Sequence, residues 1–131
     1  GSNGSLVAAG IATAPITFTR DPSYASWRGL GFNTASGTVN RLAYVTISYG
    51  GSCAALPSYP SSPRANLIAR GNTCLDVTSC AFDNGVVNGL SIDVSTVQIN
   101  SLYPSDSAAV LTALGSGTTF TGNATADIAA F

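Results

Sequence analysis

The chain has 131 residues, of which 45% are hydrophobic and only 8% are charged, and its formal net charge is -1. All of the charge comes from arginine and aspartate, and lysine, glutamate, histidine and methionine are missing from the sequence. This composition excludes a disordered chain, a basic surface for nucleic acid and histidine-dependent catalysis, and there is no run of about 20 apolar residues to predict a membrane span.

The N-terminal part of the chain predicts short strands separated by turns. Residues 6–19 form the first predicted coil, in which Pro15 precedes a strand at residues 16–19. After a turn at residues 20–26, a second strand begins at Trp27. We expect Trp27 to be a packing anchor rather than a platform for a sugar ring.

The central stretch, residues 42–84, sets the pattern for the rest. It contains LAYVTISYGG and ANLIARGNTCLDVTSCAFDN, whose apolar and β-branched residues have strand-like spacing and whose runs end in Gly, Asn or Asp. Between them lies a Pro/Ser-rich segment with three prolines in seven residues, which excludes it from a central strand. A loop insertion is therefore predicted at about residues 50–64.

Leucine-led strands then recur along the chain. The successive intervals are 23 residues from Leu67 to Leu90, 21 from Leu90 to Leu111 and 17 from Leu111 to Ile128. A drifting repeat of about 20 residues built from short strands is typical of a solenoid. Residues 105–114 interrupt it with a short helical segment that has Asp106 near its start, and the apolar tail at residues 124–131 is expected to pair along the stack or with another molecule.

The segments PITFT, SWRGLGF, LAYVTISYGG, ANLIA, VTSCAFDNG, GLSID and TTFTGN resemble the right-handed parallel β-helix of the pectate-lyase-like superfamily, as found in secreted bacterial repeat proteins. The resemblance implies an all-β fold: one β-helix domain over residues 1–131 with about five to six short coils. It implies a structural role, stacking at the coil corners, for Asn72, Asn84, Asn100 and Asn123. It says little about function, because β-helices serve as lyases, adhesins and passive scaffolds.

The strand pattern predicts parallel strands and a set of inward-facing side chains. These are Leu30, Phe32, Val45, Ile47, Leu67, Val77, Phe82, Leu90, Ile92 and Phe120.

The three cysteines allow one disulfide. Cys80 lies in a strand and is expected to be a free thiol pointing into the stack. Cys53 and Cys74 flank the loop region and would meet if the loop folds back, which makes them the candidate structural disulfide, with two free thiols as the alternative.

No residues are predicted for catalysis, for a cofactor or for a metal. Asp76 and Asp93 are the best-placed carboxylates, but we expect them to face different directions. The Asp83-Asn84 turn offers too few oxygens for calcium. Threonine pairs occur at residues 17/19 and 119/121, but they do not recur on successive predicted coils, so ice binding is not favoured.

The leading hypothesis is a non-enzymatic extracellular or cell-surface structural module that self-assembles end to end, through its open coil ends, into a filament or surface layer. Low charge and the absence of lysine and glutamate at strand edges motivate it. The candidate interface residues are Leu6, Val7, Ile128 and Phe131. The alternative is a carbohydrate-binding or adhesin module excised from a larger secreted β-helix protein, with a polysaccharide as its partner.

Overall fold

The computed structural model describes residues 4–34, 39–52 and 63–131, and these ranges contain twelve β-strands and one α-helix. The elements are β1 (Val7–Ala9), β2 (Ile16–Phe18), β3 (Leu30–Thr34), β4 (Val39–Ala43), β5 (Val45–Ser48), β6 (Ala65–Gly71), β7 (Cys74–Thr78), β8 (Ala81–Asp83), β9 (Asn88–Ile92), β10 (Gln98–Ile99), α1 (Ser107–Leu114), β11 (Thr119–Thr121) and β12 (Ala126–Ala130).

The strands form three parallel sheets that enclose one interior. Their orders are β1-β4-β7-β10, β2-β5-β8-β11 and β3-β6-β9-β12, so each turn of the chain adds one strand to every sheet. All of the strand pairs between these elements are parallel. This confirms the predicted parallel β-helix.

The predicted number of coils was too high. About three turns separate the first strand of each sheet from the last, rather than five to six coils. Leu30 pairs with Leu67, Leu67 with Leu90 and Leu90 with Ile128, so successive turns span 37, 23 and 38 residues. The predicted interval from Leu67 to Leu90 is a true turn, but Leu111 is an exposed residue of α1 and has no place in a strand.

Residues in the left-handed backbone region mark the corners of the stack. Tyr44 and Ser79 have φ values of 51° and 50° and lie next to each other at the corner before β5 and β8. At the following corner, Tyr49, Asn84 and Gly122 have φ values of 59°, 50° and 66° and again lie in register. Because each corner repeats the same backbone conformation, one turn stacks on the next without a change of register.

The interior is filled by apolar side chains from alternate strand positions. Ile47, Leu67, Phe82, Leu90 and Ile92 are completely buried, and Phe32, Val45 and Val77 are nearly so. Leu30 and Phe120 are partly buried against the same cluster. All ten residues predicted to face inward therefore do so.

Asparagine side chains hold successive turns together through backbone groups. Asn66 Oδ1 accepts from Gly50 N at 2.6 Å, while its Nδ2 donates to the Asp83 carbonyl at 3.0 Å. Asn100 accepts from Val77 N at 2.8 Å, and Asn123 accepts from Gly85 N at 2.8 Å. Asn100 and Asn123 therefore have a structural role, but it is not the expected stacking, because they follow strands of different sheets and their partners here are backbone groups of the neighbouring turn.

Candidate functional site

The N-terminal end of the solenoid presents three edge strands, β1, β2 and β3. In β1, the Leu6 carbonyl accepts from Arg41 N at 2.9 Å and Gly10 N donates to the Ala43 carbonyl at 2.8 Å. Backbone groups of a strand point to its two sides alternately, so Val7 and Ala9 direct their N–H and C=O groups away from β4. Within the described ranges no strand pairs with these groups, which leaves them for a further strand.

The same geometry continues into β2. Ile16 N donates to the Tyr44 carbonyl at 2.9 Å, so the backbone groups of Thr17 point away from β5. Residues 4–19 carry no charged side chain, and charged residues are the usual protection of an exposed edge. Val7 and Ile11 are 62% and 60% exposed, which makes this end apolar as well as unpaired.

The C-terminal end is different, because α1 contacts two of its three edge strands, β12 and β10. The helix starts beside β12, where Ser107 Oγ donates to the Ile128 carbonyl at 3.5 Å. It finishes near the end of β10, where Asn100 Nδ2 donates to the Ala113 carbonyl at 2.9 Å. Val110 and Leu114 are buried in the core cluster, so the helix closes the interior at this end.

The edge of β10 is also occupied. Ile99 and Leu102 exchange two backbone hydrogen bonds, of 2.8 and 2.9 Å, as the chain turns back before α1. Sequence reasoning placed a short helix here but left this end open, because a helical pattern does not reveal which surface the helix will cover.

The four predicted interface residues lie at the two ends, but in unequal surroundings. Leu6 is partly buried against the core, whereas Val7 is exposed. Ile128 packs partly against the core, and its carbonyl is occupied by Ser107. Phe131 is 37% exposed, with its backbone bonded to Ile92 and Val94 and the Arg70 guanidinium 6.0 Å from its ring. The predicted pairing of the tail along the stack is confirmed by β12, which runs parallel to β9.

The cysteines agree in part with the expectation. Cys80 is a free thiol, 2% exposed, and its burial raises the pKa of the thiol. Cys74 is also a free thiol in the structure, with Sγ 3.6 Å from Gln98 Oε1. Cys53 lies outside the described residues, so its pairing with Cys74 stays a prediction.

The acidic residues do not form a cluster. Asp76 lies on the outer face of β7, 3.5 Å from the guanidinium of Arg41, whereas the Asp93 carboxylate follows β9 and accepts from the backbone and hydroxyl of Ser95. Asp76 thus lies in one sheet and Asp93 at the end of a strand of another, which agrees with the expectation that they face different directions. Within the described ranges no three His, Cys, Asp or Glu side chains are grouped as metal ligands would be.

Trp27 is a packing residue, as predicted. Its ring packs against the core cluster, and its Nε1 donates to the Ser48 carbonyl at 2.7 Å.

Two rows of small polar side chains cover the outer face of the sheet β2-β5-β8-β11. Strand register aligns Thr17, Thr46, Ala81 and Thr119 in the first row. The second row lies two residues further along each strand and aligns Ser48, Asp83 and Thr121, with Thr19 beside Ser48 at 3.0 Å between hydroxyl oxygens. We call these eight residues the hydroxyl face.

In this sheet the threonine pairs stand at the first and last strands, at residues 17/19 and 119/121, so the expectation that they do not recur on successive coils is confirmed. With serine included, β5 also carries a hydroxyl residue at both positions, whereas β8 carries Ala81 and Asp83. The rows were missed because the turn length was underestimated. The tripeptides TFT, TIS and TFT recur in the sequence, but they do not show which strands are neighbours.

No protein-family model matches this chain, and no significant match is found among curated proteins or among solved structures. Among the described residues, no helix has the length and apolar character that a membrane crossing requires.

Proposed function

We propose that the chain is a non-enzymatic structural module of an extracellular or cell-surface assembly, which associates with copies of itself at the ends of its solenoid. The observation that carries the proposal is the N-terminal edge, where the backbone groups of Val7, Ala9 and Thr17 point outward and pair with no strand of the described residues. Addition of a strand to such an edge supplies main-chain hydrogen bonds together with apolar burial.

The unequal ends favour a specific mode of assembly. Because α1 lies against β10 and β12 at the C-terminal end, two copies pair their N-terminal edges around a twofold axis, which uses the same surface on both. A filament or layer then needs a second contact. Leu102, Tyr103 and Leu111, which are 56%, 68% and 51% exposed at the helix-covered end, are the apolar residues for that contact.

Low charge supports the same proposal. With a formal net charge of -1, the electrostatic repulsion between two copies is weak.

An extracellular, oxidising location also provides the condition under which Cys53 and Cys74 would bond, as in the secreted bacterial β-helix proteins that the sequence resembles. Mass spectrometry of the non-reduced protein checks the bond, since finding all three thiols free would reject it.

The test of assembly places a charge at the edge. Val7→Lys adds to β1 the kind of residue that prevents edge pairing, and Val39→Lys makes the same change on the outer face of the same sheet, in β4, which is already paired on both sides. Sedimentation equilibrium over a range of concentrations should show association of the unaltered chain and of Val39→Lys, and its loss in Val7→Lys. A chain that stays monomeric at high concentration contradicts the proposal.

A further inference from the structure

The hydroxyl face is a two-dimensional array. Neighbouring turns of a parallel sheet are about 4.8 Å apart, and residues two positions apart on one strand are about 6.6 Å apart. The four strands therefore give a face about 14 Å tall, with two hydroxyl residues at each strand except β8, which carries Ala81 and Asp83. Thr17, Thr19, Thr119 and Thr121 are exposed, whereas Thr46, Ala81 and Asp83 are half-buried and Ser48 is buried.

Side chains that point into the interior hold the two rows rigidly in place. The residues between the two rows are Phe18, Ile47, Phe82 and Phe120, which point into the interior, and the rings of Phe82 and Phe120 stack at 5.3 Å between centroids. Threonine itself has few side-chain conformations because it is branched at Cβ. The hydroxyls consequently keep their spacing with little entropy left to lose on binding.

The face has almost no charge. It carries no cation, and its single ionisable group is Asp83, whose Oδ1 has no hydrogen-bond partner and whose carboxyl pKa is raised by burial. It also lacks an aromatic ring on which a sugar could stack. These features disfavour a charged ligand and a stacked saccharide, and they leave an uncharged ligand that forms hydrogen bonds with the hydroxyls of the four exposed threonines.

We propose that the hydroxyl face binds the surface of ice. A hydroxyl donates one hydrogen bond and accepts two, so it replaces a water molecule closely. A single hydroxyl gains nothing over bulk water, because it exchanges one water contact for another. A rigid array gains when its spacing matches an ordered lattice, since the contacts then form together without separate ordering costs.

The test is inhibition of ice recrystallisation and of ice-crystal growth below the melting point by the purified chain. Thr119→Tyr places a bulky ring on the exposed end of the first row, and Thr78→Tyr makes the same change at an exposed position on the outer face of β7, in another sheet. The unaltered chain and Thr78→Tyr should inhibit growth, and Thr119→Tyr should not. Circular dichroism confirms that both variants keep the fold.

Two results would overturn the proposal: an unaltered chain without effect on ice, or equal activity of the two tyrosine variants. Retention of the chain on insoluble cellulose or chitin, lost in Thr119→Tyr and without any effect on ice, would assign the face to a polysaccharide instead. The same measurements on Val7→Lys separate this inference from self-association, because that substitution leaves the hydroxyl face unchanged.

Discussion

At the scale of single residues, the alternation of side chains along each strand decides what is inside. Val45 and Ile47 are buried while Thr46 between them is half-exposed on the opposite face. This alternation was readable from the sequence because it depends only on the strand itself. The rows of the hydroxyl face were not readable, because the residue that lies beside Thr46 depends on how many residues each turn uses.

Phe82 is the largest fully buried side chain of the interior and stacks on Phe120. We expect Phe82→Ala to lower the free energy of unfolding by about 3–5 kcal/mol, through lost burial and the cavity left behind. Urea denaturation measures the loss, and Phe131→Ala, at a partly exposed ring, should cost much less. Equal costs for the two variants would contradict the assigned core.

Asp83 makes stability depend on pH. Burial raises the pKa of its carboxyl above the ordinary value of 3.8, so the folded state holds this proton to a higher pH than the unfolded state does. Folding therefore loses stability as the pH rises from 3.8 through the folded-state pKa, and the loss persists above it.

Asp83→Asn should consequently be the more stable protein at pH 7, by no more than about 1 kcal/mol because the carboxyl is only partly buried. The gain should shrink towards acid pH, where the Asp83 carboxyl is protonated in both the folded and the unfolded state. Thermal unfolding at several pH values measures it. Asp76→Asn, which removes an exposed ion pair with Arg41, should give no such gain, and a gain independent of pH would count against burial as the cause.

At the scale of elements, α1 shows which of its properties depend on nearby residues and which depend on the rest of the fold. The helix was expected at residues 105–114 and is found at Ser107–Leu114, with Asp106 as its N-cap. Its start is a local property, since Asp106 Oδ1 accepts from Ala109 N at 2.8 Å. Its contacts with β10 and β12 are not local, because they depend on the path of the whole last turn.

Asp106→Ala removes the N-cap and should lower the free energy of unfolding by about 1 kcal/mol. Ser105→Ala, at the neighbouring exposed residue, is the matched control and should have little effect. Chemical denaturation followed by far-ultraviolet circular dichroism compares the two. A neutral Asp106→Ala would show that the cap contributes nothing to closing this end of the core.

At the scale of the whole molecule, the turn count was wrong although the architecture was right. Strand spacing and turn residues predict a stack of parallel coils whatever the coil length, whereas the count requires knowing which strands are partners. Turns of 23 and 38 residues coexist because extra residues are placed between strands and leave the register unchanged. The number of residues from one leucine to the next therefore gives the length of a turn only where both leucines lie in strands.

The alternation at the N-terminal edge predicts neighbouring amides with very different hydrogen exchange. Gly10 N is bonded to the Ala43 carbonyl and should exchange slowly, whereas Ala9 N points away from β4 and should exchange rapidly in dilute solution. Raising the protein concentration should slow Ala9 if edges pair. Fast exchange at Ala9 under all conditions would argue against pairing at this edge.

The position of α1 near the end of the chain also has a consequence for biosynthesis. Nine of the twelve strands precede residue 93, and they leave the ribosome before the residues that cover their interior. Until residues 107–114 are made, the growing stack exposes an apolar cross-section at one end and unpaired strands at the other, which is the condition in which nascent chains aggregate. Cleavage between β9 and α1 would recreate that state only if the later residues also dissociated, because β11 and β12 remain paired with β8 and β9.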